Sequence, residues 1–252
     1  MIEIFLLSLI QGLTEFIPVS SSSHLLVLSK YINFENQGLS IDVSLHIGSF
    51  LAVIVYFRKD LINFFDKRDI FYKIIFASLP VILIGFFFVQ TNLIYNLRNI
   101  EVIGWTTIIF GILLFFSDRL KLNKSIEKNL NYKDAFLVGL FQILSLIPGV
   151  SRSGITISAG RILNYNRYDS SKISFLLSIP TLGAVSIFGL KNIIFSDTIF
   201  FSFLNLTAIF LSFFFSFLTI KYFLKYVKKF SLSVFVIYRL LIGTILLFIV
   251  YL

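Results

Sequence analysis

The sequence has 252 residues, of which 57% are hydrophobic and only 14% are charged, and its mean hydropathy is +0.92. Because so few polar side chains cannot cover a water-soluble globule, the composition excludes that class and predicts an all-α protein in a lipid bilayer. The formal net charge of +9 does not indicate a nucleic-acid partner, since the Lys and Arg residues lie in short gaps between apolar runs.

Two kinds of apolar segment follow one another along the chain. Segments of the first kind are interrupted by proline: residues 2–28 contain Pro18, and residues 135–163 contain Pro148. Uninterrupted stretches long enough to span a bilayer, which takes about 20 residues, lie at 40–57, 71–89, 100–117, 173–190, 199–220 and 234–252. Backbone without helical hydrogen bonds is tolerated at membrane depth only inside protein or beside water. The pattern predicts six transmembrane helices and two broken re-entrant hairpins in one polytopic membrane domain, 1–252.

The distribution of charge predicts the orientation of these segments. Basic segments at 58–73, 119–133 and 221–229 contrast with nearly uncharged gaps at 90–99 and 191–198, so the basic segments should be cytoplasmic. The two hairpins then enter from opposite faces. Pro18 and Pro148 are 130 residues apart, as are Ser44 and Ser174. Together these features predict an inverted-topology repeat with halves of about 1–120 and 134–252.

The first interrupted segment contains a cluster of polar residues. Gln11 and Glu15 are four residues apart and share one helix face, and Pro18 then breaks the helix. The serine run at 20–23 suits the start of a new helix, and His24 follows Ser21 by three residues, again on one face. Ionisable groups are costly in a membrane and indicate a functional site.

The second interrupted segment contains the motif Pro-Gly-Val-Ser-Arg-Ser-Gly at 148–154. Arg152 lies between the hydroxyls of Ser151 and Ser153, and Gly149 and Gly154 let the backbone approach a ligand closely. An arginine grips phosphate through parallel N–H bonds, and a helix beginning here adds its positive end. This motif predicts a site for a phosphate or a pyrophosphate.

Each of these residues also has a purely structural interpretation. Glu15 could cap a helix, the serines, Ser20 among them, could satisfy broken backbone, and His24 could bond to a carbonyl. Arg152 could be the ionic partner of Glu15 across the two hairpins, which is compatible with a functional role. His46, within the predicted span 40–57, could support the site or form an interhelical hydrogen bond.

The two motifs resemble the signature regions of the undecaprenyl-diphosphatase family, also called bacitracin-resistance proteins. The first runs from Gln11 to His24 as a Gln-x3-Glu pattern followed by Pro-Val-Ser-Ser and His, and the second is the motif at 148–154. The resemblance extends to Phe-Gln at 141–142, Ser-Phe-Leu-Leu at 174–177 and Ile-Tyr-Arg at 237–239, so it covers essentially the whole chain.

This resemblance implies hydrolysis of undecaprenyl diphosphate to undecaprenyl phosphate and inorganic phosphate. The reaction recycles the lipid carrier of peptidoglycan synthesis, supports cell shape and confers bacitracin resistance. It also implies a bacterial cytoplasmic membrane and a polyprenyl diphosphate substrate. Because the hairpin that bears Glu15 and His24 is predicted to enter from the outer face, the active site should face the periplasm or cell exterior. No nucleic acid is expected as a partner, and a homodimer is one of the oligomeric states that the sequence leaves open. The alternative from another class is a transporter or flippase that binds polyprenyl phosphate without cleaving it, since such proteins also build sites from broken helices.

Residue roles carried over from the resemblance divide into catalysis, substrate binding and metal binding. Glu15 and Gln11 belong to the family's acidic motif, where many relatives have a second Glu. With no cysteine for thiolate ligands, one Mg²⁺ or Ca²⁺ held by Glu15, Gln11, water and the pyrophosphate is expected. Either Ser21 or a water activated by His24 attacks the phosphorus. The catalytic set is Glu15, Ser21, His24 and Arg152, and the substrate-binding set is Gln11, Ser20, Gly149, Ser151, Ser153 and Gly154.

Overall fold

The computed structural model describes residues 1–31, 38–63, 68–91, 97–120, 124–195 and 203–252. The start of the predicted span 199–220 lies outside these residues. So do parts of the predicted connecting segments 58–73, 90–99, 119–133 and 191–198, whereas 221–229 is described throughout. The described helices, in chain order, are α1 (Ile2–Thr14), α2 (Ser21–Tyr31), α3 (Leu39–Tyr56), α4 (Arg58–Asn63), α5 (Arg68–Gln90), α6 (Ile100–Arg119), α7 (Ile126–Asn129), α8 (Tyr132–Ile143), α9 (Arg152–Ile162), α10 (Arg167–Phe195), α11 (Phe203–Val227) and α12 (Ser233–Tyr251).

Six of these helices, α3, α5, α6, α10, α11 and α12, are long and apolar enough to cross a bilayer. The predicted all-α membrane class with six spanning helices is therefore confirmed. Helix α10 begins at Arg167, ahead of the predicted start at residue 173. The reason is local, because the Asn166 side chain accepts a 2.9 Å hydrogen bond from the Asp169 N–H and caps the first turn.

Both interrupted segments form pairs of helices that are each too short to span a bilayer. Helices α1 and α2 are separated at residues 15–20, and α8 continues as a 3₁₀ turn, Leu144–Leu146, before the break that precedes α9. Both ends of the second pair lie at the end of the bundle that bears the basic segment 119–133, named the basic end. There the backbone N–H of Lys124 donates to the Asn164 carbonyl at 3.0 Å. Ile4 and Leu7 of α1 pack instead on Ile41, at the opposite end of α3.

The helices of the two halves pack on each other in a reciprocal pattern. Helix α1 packs on α11, as α8 packs on α5, and α3 contacts α11, as α10 contacts α5. Helices α3 and α10 also contact each other, as do α6 and α12. This is the pattern that two related halves of opposite orientation would produce, and the repeat itself stays a prediction.

An ion-pair network at Asp118 ties four helix ends together at the basic end of the bundle. The buried Asp118 carboxylate accepts hydrogen bonds from Arg167 Nε at 2.5 Å and Nη2 at 3.1 Å, and from the Leu232 N–H at 2.9 Å. Its carbonyl accepts a 3.1 Å bond from Arg161 Nη2. These bonds fix the positions of α6, α9, α10 and α12, and so of the second hairpin.

Candidate active site

The two breaks meet in the interior of the helix bundle. The Ser153 hydroxyl, at the start of α9, donates to the Ile17 carbonyl in the first break at 2.8 Å. The Arg239 side chain of α12 donates to the Pro18 carbonyl at 3.2 Å and to the Gly149 carbonyl at 2.9 Å, so it holds both breaks at once. The segments that the sequence predicted as half-sites are therefore joined by direct hydrogen bonds.

Glu15 lies at the centre of this junction and is only 8% exposed. Its Oε2 accepts a 2.5 Å hydrogen bond from the Ser21 hydroxyl and a 3.1 Å bond from Gln11 Nε2. Its Oε1 accepts a 3.0 Å charged bond from Arg152 Nη2. The interpretation of Arg152 as the partner of Glu15 across the hairpins is confirmed, and the pair holds a serine hydroxyl directly against a carboxylate.

Arg152 and Gln11 both retain unused polar atoms. Arg152 Nη1 donates to the Ser174 carbonyl at 3.1 Å, whereas its buried Nε has no hydrogen-bond partner among the described residues. The fully buried Gln11 likewise leaves its Oε1 without a partner within that part of the chain. Unsatisfied buried donors and acceptors are costly unless a ligand or water completes them. The site has spare hydrogen-bonding capacity on both sides of Glu15.

The backbone of both breaks adopts the left-handed region just before a helix begins. Ser20 has φ of 77° and precedes α2, and Ser151 has φ of 70° and precedes α9. Such conformations cost a non-glycine residue energy and are concentrated at functional sites. The Ser151 hydroxyl also accepts from the Gly154 N–H at 3.2 Å, which caps α9. Both helix starts, with their positive dipole ends, are thereby fixed at the junction.

Gly149 is required by its surroundings. Its φ is +90°, and a Cβ atom there would lie 2.0 Å from Thr106 Oγ1 and 2.8 Å from the Ile103 carbonyl oxygen. The Thr106 hydroxyl donates to the Pro148 carbonyl at 2.6 Å. Close packing against α6 thus depends on the glycine that the motif supplies.

His24 is bonded away from Ser21. Its Nδ1 lies 2.6 Å from the Ser20 carbonyl, and its Nε2 lies 2.6 Å from the Tyr238 hydroxyl. Because a carbonyl only accepts, Nδ1 carries a hydrogen; Nε2 accepts from the Tyr238 hydroxyl when the imidazole is neutral and donates to it when the imidazole is protonated. The hydroxyl partner of Glu15 is Ser21, so the geometry pairs the serine with the carboxylate and leaves the imidazole one helical turn further along.

The remaining predicted residues take supporting positions. The Ser20 hydroxyl bonds the Ser23 hydroxyl at 2.9 Å, so its contact is with another side chain and not with the broken backbone. His46 Nδ1 bonds the Asp42 carbonyl of its own helix at 2.8 Å, so this nitrogen makes no interhelical bond. Ser151, Ser153, Gly149 and Gly154 shape the second break.

Two residues of the site, Tyr238 and Arg239, were named in the sequence analysis only as part of the Ile-Tyr-Arg segment of the resemblance and were not predicted to lie in the site. Arg239 is fully buried, and besides Pro18 and Gly149 it donates to the carbonyls of Val150 at 3.1 Å and Thr107 at 3.2 Å. A signal for it existed, because a charged residue inside a predicted span, 234–252, is itself an indication of function. For Tyr238 the signal was its place beside Arg239 in the Ile-Tyr-Arg segment at 237–239, since a tyrosine alone is common in membrane helices.

The described residues do not form a complete protein-held site for Mg²⁺ or Ca²⁺. Ca²⁺ takes about six to eight oxygen ligands, and octahedral Mg²⁺ is usually held by one or two carboxylates together with waters and substrate phosphates. No group of three His, Cys, Asp or Glu side chains suited to a metal occurs in the described part of the chain. Glu15 is the carboxylate of the site, and Arg152, Ser21 and the Gln11 amide nitrogen already engage its oxygens. Gln11 Oε1 is the available protein oxygen beside it.

Comparison with known proteins gives full-length matches. A family model described as bacitracin resistance protein BacA matches residues 4–245. A protein of Pelagibacter ubique (strain HTCC1062) named undecaprenyl-diphosphatase is 48% identical over 99% of this chain and 98% of its own length. A protein of the same name from Jannaschia sp. (strain CCS1) is 38% identical over 98% of both chains.

Proposed function

This chain belongs to the bacitracin resistance protein BacA family, and we propose that it hydrolyses undecaprenyl diphosphate to undecaprenyl phosphate and inorganic phosphate. The observation that carries the proposal is the 2.5 Å hydrogen bond from the Ser21 hydroxyl to Glu15, with Arg152 bound to the other oxygen of the same carboxylate. The nucleophile Ser21, its base Glu15 and the phosphate-binding guanidinium of Arg152 are thereby held together inside the bilayer region, where a lipid diphosphate can reach them.

In the first step Ser21 Oγ attacks the terminal phosphorus. Its proton passes to Glu15, the Oγ–P bond forms, and the bond from phosphorus to the bridging oxygen breaks. Undecaprenyl phosphate leaves with the bridging oxygen and takes the proton from Glu15. Carboxylate and hydroxyl already lie at the separation that proton transfer needs.

In the second step water hydrolyses the phosphoserine. Glu15 accepts a proton from the water, whose oxygen bonds to phosphorus while the Ser21 Oγ–P bond breaks. The proton on Glu15 returns to Ser21, and inorganic phosphate departs. Direct attack by water is the other route, and it predicts that no phosphoserine forms.

Arg152 binds the terminal phosphate in this proposal. Its Nε has no partner among the described residues, so an incoming phosphate oxygen satisfies a buried donor. The start of α9 directs its positive end toward the same place. As charge develops on the phosphoryl oxygens, the fixed guanidinium stabilises the transition state more than the ground state.

The divalent cation, Mg²⁺ or Ca²⁺, is proposed to arrive with the diphosphate. Glu15 and Gln11 would offer it at most a small share of its oxygen ligands, and the phosphates would supply others. When bound, the cation would neutralise phosphate charge. We expect EDTA to weaken substrate binding, seen as a higher KM, without altering the melting temperature of the substrate-free protein.

The proposed location is the bacterial cytoplasmic membrane, with the site open to the periplasm or cell exterior. Support comes from the basic segments, which lie at one end of the bundle and predict that end to be cytoplasmic. The sequence has no cysteine, so single substitutions can test the orientation directly. Exposed Ser22→Cys should react with an impermeant maleimide in intact cells, and exposed Lys228→Cys only after permeabilisation. The opposite pattern would contradict the orientation.

The transporter alternative is not favoured, because the curated relatives are named as a phosphatase. A protein that bound the lipid diphosphate and released no phosphate would restore that alternative. The homodimer also stays a prediction. Light scattering of the purified protein, with the detergent mass subtracted, measures it directly.

The central experiment measures phosphate release from undecaprenyl diphosphate by purified protein in detergent. We expect release by the wild type, and a loss of about a hundredfold to ten thousandfold in kcat for Ser21→Ala, Glu15→Gln and Arg152→Ala. Ser22→Ala is the matched control, because it removes a neighbouring exposed hydroxyl that does not contact Glu15. Acid quenching with substrate labelled on the terminal phosphate should trap phosphoserine at Ser21. Full activity in Ser21→Ala would instead establish water as the nucleophile.

A further inference from the structure

Tyr238 is a polar residue of the site for which hydrolysis as derived above has no role. Its hydroxyl lies 2.6 Å from His24 Nε2, and the two rings are stacked with centroids 5.7 Å apart and planes 11° from parallel. Tyr238 is 39% exposed, whereas Glu15 is 8% exposed and the Arg152 side chain 13%. The pair therefore lies at the exposed edge of the site.

The position of this edge decides which part of the substrate reaches it. The polyprenyl tail stays in lipid, so the phosphate attached to the tail must lie on the exposed side of the buried terminal phosphate. His24 follows Ser21 by three residues on one face of α2, which places its Cβ about 5–6 Å from that of the nucleophile. The leaving phosphate is thus expected beside Tyr238.

His24 controls the direction in which the Tyr238 hydroxyl donates. With neutral His24, Nδ1–H is used by the Ser20 carbonyl and Tyr238 donates to Nε2. When Nε2 carries a proton, it donates to the tyrosine oxygen, and the hydroxyl hydrogen is free to point outward. Both arrangements fit the same heavy-atom positions, so the switch needs no movement of the backbone.

We propose that Tyr238 donates a hydrogen bond to the leaving, lipid-bearing phosphate, and that His24 is the positioning residue that directs its hydroxyl. The inference rests on the proposed function and adds a second phosphate contact to it. As the bridging bond breaks, negative charge accumulates on the leaving phosphate, and a donor there strengthens its hold in the transition state. The contact forms when His24 Nε2 carries a proton, and no proton passes from Tyr238 to the phosphate.

Inhibition by the two reaction products separates this role from a structural one. In Tyr238→Phe, which keeps the stacked ring, we expect the inhibition constant of undecaprenyl phosphate to rise about tenfold or more, as loss of a hydrogen bond to a charged group implies. The inhibition constant of inorganic phosphate, which binds at Arg152, should stay unchanged. His24→Ala should produce the same selective shift, because it removes the Nε2–H that holds the tyrosine oxygen and turns the hydroxyl hydrogen toward the phosphate.

Tyr251→Phe is the matched control, since it removes a hydroxyl from the other end of α12, where Tyr251 donates to Glu101 at 2.5 Å. It should alter neither inhibition constant. Unchanged inhibition by undecaprenyl phosphate in Tyr238→Phe, or an equal shift for both products, would overturn the inference. Absence of phosphate release by the wild type would count against the proposed function instead, so the two failures are distinguishable.

Discussion

Two buried carboxylates of the described residues, Asp118 and Glu15, form ion pairs with arginine, and their other partners differ in kind. Around Asp118 the donors are the Arg167 guanidinium and the Leu232 N–H, which can only donate. Around Glu15, besides Arg152, the donors are the Ser21 hydroxyl and the Gln11 amide, which can rotate or turn over and accept instead. The first pair fixes helix ends, whereas the second can change its proton arrangement without losing its bonds.

The backbone around the two pairs differs in the same sense. Asp118 lies in the last turn of α6, its partners begin or end regular helices, and the residue at positive φ between its two arginine partners is Asn164, a residue type that tolerates this region. Glu15 and Arg152 flank breaks that contain Ser20, Gly149 and Ser151 at positive φ. Strain of this kind persists only where the surrounding structure imposes it. The comparison teaches that a buried carboxylate bonded to arginine can serve either to fix helix ends or, as proposed for Glu15, to assist catalysis, and that adaptable hydroxyl and amide partners distinguish the second case.

The largest expected effect is that of Glu15→Gln on catalysis. The amide keeps an oxygen for Arg152, and Ser21 and Gln11 can reverse their bonds, so the fold should tolerate the change. The general base is lost, however, and kcat should fall about a hundredfold to ten thousandfold. Phosphate release and thermal denaturation in the same detergent measure the two effects. A variant that unfolded while its remaining folded fraction kept full turnover would break the comparison.

Asp118→Asn should show the opposite profile. The asparagine presents its own N–H groups to Arg167 and the Leu232 N–H, which cannot accept, so one donor must face another. Disruption of a buried charged pair costs about 3–5 kcal/mol of unfolding free energy. Denaturation in mixed micelles measures this loss, and turnover per folded molecule should stay within about twofold, since fixed helix ends act only through the fold. A large fall in kcat without loss of stability would show that this network takes part in catalysis.

Gly149→Ala tests the strained backbone of the site. A Cβ at φ of +90° would collide with Thr106 Oγ1, so the break must move. The conformational cost is about 1–3 kcal/mol, and because Gly149 is held by Arg239, the displacement should also lower kcat. Gly38→Ala is the control, since a Cβ there meets nothing within 4 Å. Equal stability and activity in both variants would show that the break is not constrained.

The sequence predicted the spanning helices and the two breaks because apolar length and proline position are local signals. It also predicted that Glu15 and Arg152 could pair, since two lone charges in a membrane protein need compensation. The pairing of Ser21 with Glu15 rather than with His24 was beyond the sequence. It depends on the left-handed conformation of Ser20, which turns α2 relative to α1 and is not a usual serine conformation.

Contacts between distant segments were equally inaccessible. Tyr238 meets His24 across 214 residues, and Arg239 meets Pro18 across 221. No local pattern states which helix packs against which break, because in lipid every spanning helix is apolar on most of its surface. Tyr165 illustrates the same point at the basic end. Burial and the hydrogen bond to Asp134 raise the pKa of Tyr165, so its hydroxyl stays protonated and donates to that carboxylate. The residues that flank Tyr165 in the sequence give no sign of this bond.

Gln11→Glu sharpens the comparison with the smallest expected effect. Gln11 Nε2 now donates to Glu15 at 3.1 Å, so a carboxylate in its place sets two negative charges side by side. Like charges at this distance require a shared proton or a cation. The new carboxylate replaces the Gln11 amide, whose Oε1 has no partner among the described residues. The variant therefore gains a better oxygen site for Mg²⁺ or Ca²⁺. We therefore expect EDTA to lower its activity about tenfold more than that of the wild type, the free-energy scale of one weak cation contact.

Gln11→Leu, which removes the amide and adds no charge, should not gain this sensitivity. Equal EDTA sensitivity in Gln11→Glu and the wild type would mean that the side-chain oxygens at position 11 do not reach the cation. The diphosphate would then be what holds the cation in the site.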